Sequence, residues 1–255
     1  MFFKNMLKQN TRREGFHPIP TFLLSFPRSG NTWVRYCVEY LTKYPTTSCQ
    51  SSIYPEEWPI ALKERNSLNS LINGIEGVKE ENPHILVKKH TIFSTEINNY
   101  PIILLIRNYK ECLIRNYGVN RAREYIFSNV QDENTSYLDM LKYFDKWENN
   151  KILFYYEDIL LNPKSFIFSL SNFFRISDKK LIRDFIENID FHKSIGIKCY
   201  QNINQNSITK GNKNKIIFHS NVLSIKEKIK WDNEIEKKDP YLFNKYLKRY
   251  SEKYE

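Results

Sequence analysis

Glycine is scarce in this chain, at 7 of 255 residues, and proline is hardly more frequent at 10. These values exclude collagen-like and low-complexity classes, which are built on those two residues. The 4 cysteines, Cys37, Cys49, Cys112 and Cys199, lie far apart. No CxxC pair and no Cys/His spacing of zinc-ligand type is present, so the cysteines read as reduced thiols of a cytoplasmic protein. No window approaches the roughly 18 apolar residues that a membrane span needs. The opening "MFFKNMLKQNTRREG" has an apolar run too short for a signal peptide. No membrane partner is expected. Acidic residues are missing from one long stretch: residues 191–226 hold no Asp or Glu but six lysines, including those of "TKGNKNK" (209–215).

Hydrophobic residues at 41% and aromatics at 15% are enough for a sizeable core, and no Pro/Gly/Ser-rich linker divides the chain. One domain over residues 1–255 is expected. Lys and Arg exceed Asp and Glu by 39 to 29, a net charge of +10. Such an excess describes either a lysine-rich solvated surface or an anionic partner: nucleic acid, a membrane surface or a phosphate-bearing small molecule. Charge alone does not choose among them.

Four continuous apolar runs predict buried strands: "TFLLSF" (21–26), "HILVKK" (84–89), "PIILLI" (101–106) and "KILFYY" (151–156). Runs without alternation suit parallel strands covered on both faces. Helical patterns alternate with them. Val34, Cys37, Val38 and Leu41 form one stripe. Asn162 before Pro163 caps a helix that buries Phe166, Ile167, Leu170, Phe173 and Phe174, and Asp178 caps another carrying Leu181, Ile182, Phe185 and Ile186. The expected fold class is α/β, with a central parallel sheet flanked by helices. Ligands on such sheets bind beyond the carboxyl ends of the strands. Residues 42–83 show weak periodicity and read as a variable insertion forming part of a substrate wall. Residues 191–226 read as a polar, cationic covering segment.

The first strand runs into "SFPRSGNTW". A strand, a tight turn through Arg28, Ser29, Gly30, Asn31 and Thr32, and then a helix aim successive backbone N–H groups at one point. The helix N-terminus adds partial positive charge there. Arg28 supplies a cation; Ser29, Asn31 and Thr32 supply side-chain donors. An ATP-type loop needs a lysine directly after its second glycine. Asn31 follows Gly30 instead, which favours a phosphate without a metal-bridged triphosphate.

This loop resembles the 5′-phosphosulfate loop of the sulfotransferases that use 3′-phosphoadenosine 5′-phosphosulfate (PAPS), usually Tyr-Pro-Lys-Ser-Gly-Thr-Thr-Trp. Further motifs follow in family order over residues 20–220. "VKKH" is similar to the family's Lys-Thr-His. The resemblance implies that His90 is the general base and that Lys88 contacts the moving sulfuryl group. "IRNYKECLIR" is similar to the 3′-phosphate motif, with Arg107 as its arginine and Arg115 in place of its serine. "YYEDILLNP" is similar to the Tyr-Glu-Asp segment, which puts Tyr156 near the adenosine. Trp33 and Phe191 match adenine-facing aromatics. In "TKGNKNK", Lys210 and Gly211 match the Arg-Lys-Gly stretch that closes on the 3′-phosphate, with Thr209 in place of the arginine.

The resemblance implies a P-loop NTPase-like fold and a metal-independent enzyme. It would move a sulfuryl group from PAPS, leaving PAP, to a hydroxyl or amine of a small-molecule acceptor in tailoring metabolism. The short chain and the arginine form of the loop favour that acceptor class over carbohydrate or tyrosine. Two other readings stay open on the residues alone. A P-loop kinase or NTPase would need Mg²⁺ and the missing Gly-Lys. A basic nucleic-acid-binding domain would account for the charge of +10, but no motif supports a nucleic-acid partner. The oligomeric state is not legible.

Overall fold

The computed structural model describes residues 21–48, 85–90, 100–127, 136–203 and 219–252. The apolar runs form parallel strands: β1 (Thr21–Ser25), β3 (Leu86–Lys89), β4 (Ile102–Ile106) and β5 (Lys151–Tyr155). A short strand, β2 (Thr46–Ser48), completes a five-stranded sheet ordered β2-β3-β1-β4-β5. Every pairing is parallel. Alternate strand residues face opposite ways. Phe22, Leu24, Ile102, Leu104 and Ile106 enter one core, whereas Leu23, Ile103 and Leu105 enter the other.

The first core is covered by α2 (Tyr109–Phe127), α3 (Tyr137–Asp145) and α8 (Ile225–Lys238). The second is covered by α1 (Asn31–Thr42), α5 (Pro163–Phe173) and α6 (Lys179–Glu187). A short α4 (Tyr156–Leu161) leaves β5, and α7 (Ile189–Ile203) runs against α1. Gly118, at φ 75° and ψ 166°, interrupts α2. That conformation is open to almost no residue but glycine.

The helix starts follow their capping residues. The Asn162 side chain accepts from the Ser165 N–H and the Asp178 side chain from the Leu181 N–H, as their spacing predicts. α5 buries Phe166, Ile167 and Leu170, with Phe174 at its end, whereas Phe173 is only partly buried.

Two segments differ from expectation. The region 42–83 was expected to be an insertion, yet Thr46–Ser48 is an edge strand beside β3. Three polar residues carry no apolar pattern. What fixes them is two buried side chains of α1: Glu39 Oε1 accepts from the Thr46 N–H at 2.9 Å, and Arg35 Nε donates to Thr46 Oγ1 at 2.8 Å. The region 191–226 was expected to be a polar, cationic covering segment, but α7 continues to Ile203 and α8 begins at Ile225 behind a Ser224–Glu227 capping box. Residues 49–83, Lys210 and Gly211 lie outside the described residues.

Candidate active site

The carboxyl ends of β1, β3, β4 and β5 lie side by side, and sequence order changes direction at β1, between β3 and β4. Open α/β sheets form their binding crevice at such a switch point. The turn after β1 is tight. Ser29 N–H donates to the Phe26 carbonyl, and Trp33 N–H donates to that of Gly30. Gly30 has φ 93° and Arg28 has φ 70°, both left-handed. A methyl group on Gly30 would come within 2.3 Å of the Tyr156 ring, so that ring lies directly on the loop. Ser29 is fully buried, with Oγ 3.5 Å from Cys112 Sγ. Asn31 Nδ2 donates to Ser25 Oγ at 3.3 Å. Thr32 is half-buried in the first turn of α1, and the Arg28 side chain is exposed.

His90 follows β3. Its Nδ1 lies 2.5 Å from the Ser25 carbonyl oxygen. A carbonyl can only accept, so Nδ1 carries the proton and Nε2 holds the lone pair. Burial, with Lys88 and Arg28 nearby, lowers the imidazole to about 4, despite the opposing effect of the Ser25 bond. The ring is therefore neutral at pH 7. Lys88 is half-buried; burial, and then the charge of Arg35, lower its amine to about 8.

Arg107 follows β4 and is 5% exposed. Its Nη1 donates to the Arg28 carbonyl at 3.1 Å, and Nη2 lies 3.4 Å from Glu111 Oε1. Its guanidinium sits 4.5 Å from the centre of the Tyr156 ring. Arg115 reaches the same carboxylate through Nε at 2.7 Å. The structure thus brings Arg28, Ser29, Gly30, Arg107 and Tyr156 together, with Arg115 joined through Glu111 and His90 joined through Ser25.

Trp33 stacks on Tyr36 at 5.5 Å and packs against Gly196 of α7, where an added methyl group would meet the indole at 2.9 Å. Phe191 is 63% exposed and meets the His192 ring edge-on. None of the loop contacts given above involves it.

Sequence reasoning missed two carboxylates. Glu111 stands four residues after Arg107 and four before Arg115, a helical ion-pair spacing that was there to be read. Glu157 accepts from the Asn108 N–H at 3.0 Å and from the Tyr250 hydroxyl at 2.6 Å, which ties β5 to β4 and to the C-terminal turn. Nothing in sequence proximity announces the partnership with Tyr250.

The Sulfotransferase domain profile matches residues 18–249, and the chain belongs to that family of PAPS-dependent enzymes. Membership sets aside the kinase or NTPase reading that the residues alone had left open. The chain is also similar to a mouse sulfotransferase, SULT7A1, solved in complex with PAP, at 13% identity and a TM-score of 0.48. That match covers 87% of this chain and 84% of the mouse chain. Among the described residues, no group of three or more His, Cys, Asp or Glu side chains is placed to hold a metal ion. No helix among them is long and apolar enough to cross a membrane.

The cations at the strand ends fall into two sets: Arg28 and Lys88, both close enough to act on His90, and Arg107 with Arg115, which share Glu111.

Proposed function

We propose that this enzyme sulfates a hydroxyl or amine of a small-molecule acceptor, in-line and without a metal, with His90 as general base. PAPS, when bound, supplies the sulfuryl group and a phosphate leaving group. The observation that carries the reading is the Nδ1 bond of His90 to the Ser25 carbonyl. It fixes the tautomer that presents a basic Nε2, and burial keeps the ring neutral at working pH.

Nε2 of His90 would take the acceptor's proton. Lys88 and Arg28 would balance negative charge on the leaving oxygen, and the loop N–H groups would hold the 5′-phosphate. Arg107 and Arg115, with Lys210 and Gly211, would hold the 3′-phosphate. Tyr156, Trp33 and Phe191 would flank the nucleoside. We assign the whole of residues 1–255 to one domain acting in the cytoplasm, with no nucleic-acid partner.

His90→Ala tests the assignment. Transfer should fall by at least about a hundredfold, the usual contribution of a general base, while PAP still binds in a calorimetric titration. Transfer at the wild-type rate would end the proposal.

A further inference from the structure

Glu111 occupies an unexpected position for an acid. It lies in the first turn of α2, is 1% exposed, and sits among groups proposed to bind an anion. Its Oε1 is shared by Arg107 Nη2 at 3.4 Å and Arg115 Nε at 2.7 Å, and Arg115 Nε also donates to His219 Nδ1 at 3.2 Å. Its Oε2 accepts the Ser220 N–H at 2.9 Å. Burial alone would raise its pKa. The Ser220 and His219 backbone donors and the two guanidiniums outweigh that and hold the carboxyl below the usual range. Glu111 is therefore a carboxylate at neutral pH.

We propose that Glu111 is a positioning residue for the anion site. It fixes the guanidinium planes of Arg107 and Arg115 and joins them to the turn at His219–Val222. The inference rests on the reading that these arginines hold a 3′-phosphate. Two guanidiniums drawn to one place repel each other and, left alone, point apart into water. The carboxylate takes Nη2 of Arg107 and Nε of Arg115, and a guanidinium has further N–H donors that can serve a ligand. Arg107 is fixed further by the Arg28 carbonyl and the Tyr156 ring. Both cations are thus set before the ligand arrives, so binding need not order them.

A passive Glu111 predicts the opposite result. A buried negative charge near a phosphate opposes it, so its neutralisation would tighten binding. The sign of the change therefore separates the two cases.

The test compares Glu111→Gln and Glu111→Asp with wild type, titrating each with PAP and with AMP, which lacks the 3′-phosphate. Wild type should prefer PAP. In E111Q the PAP affinity should fall roughly tenfold, corresponding to about 1.4 kcal/mol, while AMP affinity stays within about twofold. E111D should recover part of the loss. Unchanged or tighter PAP binding in E111Q would overturn the proposal, as would equal weakening of PAP and AMP, which would mark a general structural defect. If E111Q does not fold, Arg115→Gln, on a partly exposed side chain, reads the same PAP-to-AMP ratio and should lower it; no change there would overturn the proposal. Failure of wild type to prefer PAP would instead overturn the 3′-phosphate reading beneath it.

Discussion

Arg107 Nη1 donates to the backbone carbonyl of Arg28 at 3.1 Å, and Arg28 holds a left-handed φ of 70° that an L-residue rarely adopts. A cation proposed for one phosphate thus braces the loop proposed for the other. Arg107→Lys keeps the charge but cannot serve Arg28, Glu111 and the Tyr156 ring face together. Each charge-assisted hydrogen bond is worth about 1.5–3 kcal/mol. R107K should therefore lower kcat/KM by roughly ten- to a hundredfold, with weaker PAP binding in calorimetry. Near-wild-type kinetics would mean that the brace is idle.

Gly30 combines a left-handed φ of 93° with the Tyr156 ring 2.3 Å from where a Cβ would stand. Gly30→Ala should destabilise the fold by about 1–3 kcal/mol from backbone strain alone, with more from displacing the ring. Thermal unfolding of G30A, Tyr156→Ala and the double variant separates the two terms. The double variant should recover the steric part and keep the backbone part. Full additivity of the two single effects would show that the ring and the glycine do not interact.

The strands and the turn after β1 were legible because each carries its information locally. "PIILLI" is apolar throughout and becomes the wholly buried β4, and the turn residues Arg28 to Thr32 sit within seven positions of the end of β1. Caps at Asn162 and Asp178 were legible for the same reason. Thr46–Ser48 was not, since its place depends on Arg35 and Glu39 reaching across from α1. The surroundings of the aromatics were not legible either: Trp33 stacks on Tyr36 and packs against Gly196, and Phe191 is largely exposed. Which aromatic meets solvent depends on how α7 docks, and that is a tertiary property.

Asp232 is fully buried and joins α8 to α2 and the C-terminal turn. It accepts from Lys110 Nζ and the Tyr109 hydroxyl, each at 2.5 Å, and from the Glu252 N–H at 3.1 Å. Lys110 is itself 1% exposed. Asp232→Ala would leave a buried ammonium hydrogen-bonded to the Tyr250 carbonyl, with the Tyr109 ring 4.9 Å away. Loss of one partner of a buried pair costs about 3–5 kcal/mol, and urea unfolding should show a midpoint shift of that size. A change below about 1 kcal/mol, the range of an exposed pair, would mean that water reaches Lys110.

The pH profile is the most discriminating prediction, because two of the groups proposed for chemistry, His90 and Lys88, are shifted downward. His90 lies at about 4 and Lys88 at about 8 in the free enzyme. A base at about 4 stays competent through neutral pH, so kcat/KM should show no acid limb near the ordinary histidine value of about 6.5. Activity should fall only as pH drops toward 4, where acid unfolding permits the measurement. On the alkaline side Lys88 loses its proton, so kcat/KM should decline above about 8. Phosphates bound beside Lys88 favour its charged form, which moves the alkaline limb of kcat to higher pH than that of kcat/KM. Lys88→Arg, which stays charged, should remove the alkaline limb. Stability follows activity in sign at His90 and opposes it at Lys88. The unfolded chain binds more protons at His90 between about 4 and 6.5, so stability is lost as pH drops through that window. At Lys88 it binds more protons between about 8 and 10.5, so that residue's penalty fades as pH rises through it. An acid limb near 6.5 that disappears in His90→Ala would show that the imidazole titrates as if exposed, and the burial argument for the base would fail.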